Sequence, residues 1–165
     1  MAALSRNTDA AYRSILPALE TFYGRRFEEI CKEYLLDTAG AERIGSWVEK
    51  IPVMRYGKVV RDADGKVETE DVDVDIVADC REGNAVITVF GECKFTARRC
   101  GTDVIEELTR RSHRVSKDKN RRYYVFSRSG FMPEAVEMAE SGVEDIVLVD
   151  MNDIRRWAER EVRYR

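Results

Sequence analysis

The chain has 165 residues, 44% of them hydrophobic and 36% charged, and its 28 basic and 31 acidic side chains leave a net charge of −3. That length predicts one domain over 1–165, with a core at about 16–154, able to bury an apolar interior without staples. The acidic balance excludes a chain that binds nucleic acid by bulk charge alone, so such contacts must come from local clusters of Lys and Arg.

No apolar run reaches the roughly 18 residues of a membrane span. Met1–Asp9 lacks the basic-then-apolar pattern of a secretory leader. A cytoplasmic chain with no membrane partner is the expectation. The four cysteines, Cys31, Cys80, Cys93 and Cys100, form no C-x-x-C pair, so they are expected to be reduced packing residues rather than zinc ligands.

In chain order, apolar residues at helical spacing predict a helical region from about Thr8 to Leu36. Tyr12, Ile15, Leu16 and Leu19 carry its first part; Phe27, Ile30, Cys31, Tyr34 and Leu35 carry its second. Pro17 and Gly24 are expected to bend or split it, and Asp37–Gly40 to end it. Ile44–Met54 reads as a strand. Tyr56–Asp71 reads as an exposed hairpin or loop with a turn at Asp64-Gly65. Val72–Cys80 and Ala85–Phe95 are strands joined by Gly83-Asn84. A helix is predicted from Thr102 to about Ser116, with Val104, Ile105, Leu108 and Val115 inward. Buried strands follow at Arg122–Ser127 and Ile146–Val149. Between them lies a helix opened by Pro133 and ending near Gly142, and Asn152–Arg165 closes the chain as a helix carrying Ile154, Trp157 and Val162. Strand and helix alternate through the C-terminal half, which favours an α/β fold, a mixed sheet flanked by helices.

The hairpin at Gly83-Asn84 permits a register argument. With a two-residue turn, Asp75 falls opposite Glu92 and Asp73 opposite Lys94. Alternation then places these four polar groups on one face. Val74, Ile76, Ala78 and Cys80 oppose Ile87, Val89, Gly91 and Cys93 on the other. Phe90 and Val77 share the polar face, so that face is expected to be partly covered. Two readings follow. In one, the charges are a solvated strand surface and Asp73–Lys94 is a cross-strand ion pair worth roughly 0.2–1 kcal/mol. In the other, Asp75 and Glu92, with Cβ atoms about 5 Å apart, hold a hard divalent cation that offsets their repulsion, and Lys94 reaches a water or a phosphate oxygen beside it.

The segments D-V-D-I-V-A at 73–78 and G-E-C-K-F at 91–95 resemble the PD-(D/E)XK nuclease superfamily. More closely, the chain resembles the nuclease-like module at the C-terminus of certain archaeal and bacterial AAA-type ATPases. The likeness also runs through G-R-R-F-E-E-I-C at 24–31, I-G-S-W at 44–47, Y-Y-V-F-S-R-S-G-F at 123–131 and I-V-L-V-D at 146–150. It implies a restriction-endonuclease-like core of order αβββαβ. It also implies magnesium (or manganese) held by Asp75 and Glu92, Lys94 positioning or activating the attacking water, and hydrolysis of DNA phosphodiester bonds. Some branches add a glutamate from the first helix; Glu28 is the matching position, ahead of Glu29. Two departures stand out: Val74 replaces the proline of the motif's name, and no G-x-x-x-x-G-K-[ST] phosphate loop occurs. The resemblance leaves open a catalytically silent module that binds DNA or associates with a P-loop ATPase, an RNA-acting hydrolase, and a homodimer that cuts two strands.

Arg98, Arg99, Arg110, Arg111 and Arg114 follow the E-x-K segment, as do Lys117, Lys119, Arg121 and Arg122. They are candidate phosphate contacts, or a solvated helix face in which Asp103, Glu106, Glu107 and Asp118 are interleaved. His113 reads as a surface residue, Cys93 as a packing residue, and Trp47 and Trp157 as core or interface residues.

Overall fold

The computed structural model describes residues 21–164. The expected helix over 8–20, with its break at Pro17, and the inward position of Val162 lie outside the described residues and side chains.

The first described element, α1 at 21–38, buries Phe27, Cys31 and Leu35 at four-residue spacing, one stripe of a 3.6-residue helix. The helix runs through Gly24 without the break expected there. A helical glycine costs roughly 1 kcal/mol, a penalty that burying three large side chains outweighs. Ile30, expected inward, stays 40% exposed because it lies beside the stripe. The chain leaves the helix where Gly40 takes φ 61°, a left-handed conformation suited to glycine.

β1 (Ala41–Pro52) leads into a small ribbon, β2 (Met54–Arg55) with β3 (Lys58–Val59). The expected turn lies just beyond it, where Asp62 Oδ1 accepts the Asp64 and Lys66 N–H groups. There follow β4 (Thr69–Glu82), β5 (Ala85–Lys94), α2 (Thr102–Val115), β6 (Arg121–Ser127), α3 (Pro133–Glu140), β7 (Ile146–Asp150) and α4 (Met151–Tyr164). Five strands form one sheet in the order β1-β4-β5-β6-β7. The β1–β4 and β4–β5 pairs are antiparallel; β5–β6 and β6–β7 are parallel. The fold is therefore a mixed α/β sheet flanked by helices, and α1, β1, β4, β5, α2 and β6 occur in the expected αβββαβ order.

Each sheet face has its own core. On one, Phe27, Cys31 and Leu35 of α1 and Ile154 of α4 pack on Ile76, Ala78 and Val89. On the other, Ile105 and Leu108 of α2 and Ala135 of α3 pack on Val74, Phe90, Tyr123 and Val125. Val104 and Val115, expected inward on α2, are half-buried at the margin of this second core. A buried hydroxyl contact between Ser112 and Tyr123, 3.1 Å, fixes α2 against β6.

The predicted hairpin register holds from Glu82↔Ala85 to Ile76↔Gly91, with Gly83 at φ 60° in the turn. It stops there: Asp75↔Glu92 and Asp73↔Lys94 are not among the paired residues. The reason lies on the other edge of β4. Gly45 is opposite Val77 but Trp47 is opposite Val74, so β4 spends one extra residue, and Asp75 and Ile76 fall together against Ser46. This is a β-bulge, which turns the strand and reverses which residues face which side. Val74, expected beside Ile76, therefore joins the α2-side core while Ile76 joins the α1-side core.

Gly91 is held by the tight approach of these strands: a Cβ there would lie 2.9 Å from Ile76 Cβ, on the stem of a side chain that has no freedom to move away. Gly91→Ala is expected to lower stability by about 1–3 kcal/mol, read as a reduced urea midpoint at unchanged slope.

Candidate functional site

The site forms where β4 and β5 part. Beyond Ile76↔Gly91, Asp75 Oδ2 accepts the Cys93 N–H at 2.7 Å, so a carboxylate supplies the acceptor where strand pairing ends. This bond fixes the Asp75 side chain between the strands. Burial pushes the Asp75 carboxyl above the usual carboxylate range, opposed by the Cys93 N–H and by Lys94.

Glu92 comes from β5 and is 6% exposed. Burial, and then the neighbouring Asp75, push its carboxyl up as well. It forms an ion pair with Lys94, two residues along the same strand. Its Oε2 atom is buried and finds no hydrogen-bond partner among the described residues; Arg111 Nη1 is 3.7 Å away. A buried, unpartnered carboxylate oxygen costs free energy, and here it belongs to a side chain that is also repelled by the half-buried Asp75 carboxylate. Burial works against the Lys94 ammonium, but Glu92 and Asp75 outweigh it and hold Lys94 above its ordinary range. At neutral pH Lys94 is therefore a cation.

Glu28, on α1, is half-buried; burial and then Asp75 raise its carboxyl. Glu29 is exposed and pairs with Arg26. The first-helix glutamate oriented toward the site is thus Glu28. Even so, no group of three or more His, Cys, Asp or Glu side chains among the described residues is gathered as a metal cluster. The donors that fit a divalent cation are Asp75 and Glu92: two hard oxygen ligands, mutually repelling, one with a vacant lone-pair direction.

The expected Asp73–Lys94 pair is replaced. Asp73 is exposed, with its carboxylate 3.5 Å from Arg111 Nη1, and the same guanidinium donates to its backbone carbonyl at 3.0 Å. Arg111 also donates to Glu107 at 2.7 Å. Arg110 is engaged by the same carboxylate, and its hydrogen bonds lead the causes that hold Glu107 at about 2. Arg111, read from the sequence as a phosphate contact, thus braces Glu92 and β4 from α2. Arg98, Arg99 and Arg114 are exposed. His113 is exposed and contacts Arg121. Cys93 packs toward Cys31 on the α1 side, and all four cysteines are free. Trp47 joins the α2-side core; Trp157 packs edge-on against Tyr34 and donates to Asp37 at 2.7 Å.

Asp75 generates a pH prediction. Its folded pKa is raised above 3.8, so its contribution to stability is fully present below that value and lost as pH rises through the raised one. Asp75→Asn keeps an acceptor for the Cys93 N–H and removes the charge. In metal-free buffer at neutral pH the variant is expected to unfold at higher urea than wild type, with the gap closing as pH falls toward 3.8. A variant less stable at every pH would contradict this account.

No curated protein matches the chain. Among solved structures it is similar to the restriction endonuclease MspJI in complex with a 27-mer oligonucleotide, at 14% identity and a TM-score of 0.48, over 86% of this chain and 29% of that one. It is also similar to the DNA modification-dependent restriction endonuclease AspBHI, at 12% identity and 0.45, over 86% and 33%. A third likeness is to the protein of unknown function AF1548, at 16% identity and 0.43, over 82% and 64%. The chain thus spans about a third of the two endonucleases and less than two thirds of the third protein. Among the described residues, no helix is long and apolar enough to cross a membrane. Residues 1–112 match the family DUF234, described as archaea bacterial proteins of unknown function, and the chain belongs to that family.

Proposed function

We propose that the chain is a metal-dependent nuclease that hydrolyses DNA phosphodiester bonds at Asp75, Glu92 and Lys94. One observation carries the reading: the buried Glu92, with an unpartnered carboxylate oxygen, lies beside the half-buried Asp75 carboxylate and a lysine held in its charged form. Such an arrangement costs folding free energy, which is the expected signature of a site kept for a charged ligand rather than for stability.

Asp75 and Glu92 would hold magnesium or manganese, with Glu28 as a further, outer carboxylate. When bound, such a cation supplies Lewis acidity toward the phosphate and lowers the pKa of a coordinated water. The chain's own groups have distinct tasks. The Cys93 N–H orients the Asp75 carboxylate. Arg111 and the α2-side core close the far side of Glu92 from water. Lys94, already protonated, is unsuited to abstracting a proton; its role is to offset the negative charge that builds on the phosphate. In the reaction a water oxygen bonds to phosphorus, the phosphorus–oxygen bond to one sugar breaks, and a proton ends on the departing oxygen.

A second reading, a silent nuclease-fold module for DNA binding or for association with a P-loop ATPase, draws on two observations: Lys94 is engaged by Glu92, and Glu28 is not gathered with the other carboxylates among the described residues. A homodimer acting on two strands belongs with the first reading.

The test is cleavage of single-stranded, duplex and branched DNA with magnesium or manganese. Wild type is expected to cut and Lys94→Ala to lose about 10²–10³-fold in rate, the scale of removing one group that stabilises developing charge. Manganese is expected to raise the urea midpoint of wild type but not of Asp75→Ala. Well-folded wild type that cuts no DNA form would favour the silent module.

A further inference from the structure

Beyond Lys94 the sheet continues into a second feature. β6 runs parallel to β5, with Ser127 opposite Lys94, and the next residue, Arg128, donates its N–H to the Lys94 carbonyl at 3.0 Å. The loop after β5 is tied to the loop after β6: Ser129 Oγ donates to the Thr96 carbonyl at 2.6 Å, and Cys100 N–H donates to the Gly130 carbonyl at 3.0 Å. These two loops and the start of α4 enclose a cleft of about 450 Å³ whose lining includes Arg99, Arg128, Ser129, Phe131, Asp150 and Asn152. It opens at the carboxyl ends of the parallel strands, where α/β sheets place their ligands.

The arginines of this cleft differ in their pairing from Arg110, Arg111 and Arg122. Arg110 and Arg111 are engaged by Glu107, and Arg122 by Glu82 and Asp145. Arg99 and Arg128 have no ion-pair partner among the described residues. The Arg128 guanidinium lies 4.7 Å from the centre of the Phe95 ring, a cation–π contact that orients it while leaving its donors open. The one carboxylate in the lining, Asp150, caps α4 by accepting the Asn152 and Asp153 N–H groups at 2.7 and 3.0 Å. Two open guanidiniums beside an aromatic ring suit a phosphate with a planar base attached: planar N–H forks match phosphate oxygens, and rings stack on bases.

We propose that this cleft is a subsite for a phosphate of a DNA strand flanking the bond held at Asp75, Glu92 and Lys94, gripped by Arg99 and Arg128 with the adjoining base against Phe131. The inference rests on the nuclease reading for its substrate but not for its readout. The Arg128 N–H bond to the Lys94 carbonyl ties the segment that carries Arg128 directly to the end of the strand that carries Lys94.

Binding of a fluorescein-labelled single-stranded DNA oligonucleotide, followed by anisotropy in EDTA across a salt series, tests it without any cleavage. The double variant Arg99→Ala/Arg128→Ala is expected to bind roughly tenfold or more weakly, with the salt slope reduced by about 0.7 for each phosphate that is no longer neutralised. Arg43→Ala, which removes an arginine of β1 paired with Asp79 of β4, is expected to leave both unchanged. Arg99→Ala alone, at an exposed side chain, guards against a folding artefact, and Arg128→Lys is expected to recover most of the slope. Wild-type affinity and slope in the double variant, or wild type that does not bind at low salt, would overturn the proposal. Binding that depends on the two arginines in a protein that cuts nothing would uphold the cleft and sink the nuclease reading alone.

Discussion

The geometry of the site depends on the extra residue that β4 carries at Asp75. In an uninterrupted antiparallel ladder, Asp75 would project to one side and the strands would stay closed to their ends. The bulge against Ser46 ends the β4–β5 pairing at Ile76↔Gly91 and turns the Asp75 carboxylate toward the Cys93 N–H. A backbone donor that would otherwise be left without an acceptor is satisfied by a side chain, and the same hydrogen bond aims a carboxylate at the gap. Gly91 belongs to this device, since the two strands approach too closely there for a Cβ before they diverge.

The groups that gather at the gap do not stabilise the protein. Asp75 and Glu92 are pushed up chiefly by burial, and each repels a neighbouring carboxylate. Lys94 and Arg111 offset part of that repulsion, but a buried ion pair seldom repays its desolvation. The cost is met elsewhere, by two separate cores, one under α1 and α4 and one under α2 and α3. The second core also explains why Glu92 is dry. Phe90 and Val77 draw α2 onto the face that carries the charges, and Arg111 comes with it.

That covering governs what was legible in the sequence. The hairpin turn, the register over its first pairs and the αβββαβ order followed from Gly83-Asn84, strict alternation and the helix–strand rhythm. The bulge was hidden by the same alternation. Val72, Val74, Ile76, Ala78 and Cys80 are all buried, and the pattern runs through the bulge without a break. Apolar alternation reports burial, not the face on which it occurs, and where helices cover both faces a strand can reverse sides unnoticed. Arg111 was legible as a cation but not as a brace, because its partners Asp73 and Glu92 lie far away in sequence. Gly24 was legible as a weak point, yet tertiary packing overrode a propensity of about 1 kcal/mol.

The acidic net charge acquires a local meaning on this scaffold. Acidic residues are not spread evenly against the basic ones: Glu107 occupies two arginines of α2, and Glu82 and Asp145 occupy Arg122 at the far end of the sheet. The cations left without ion-pair partners among the described residues include Arg98, Arg99 and Arg128, in loops that leave the carboxyl ends of β5 and β6, and Lys117 and Lys119, in the loop that enters β6. A chain of negative net charge thus places three unpaired arginines at one end of its sheet, beside the strand that carries the E-x-K segment and its parallel neighbour. Unpaired arginines there would supply a local attraction for a polyanion that the net charge of the chain does not.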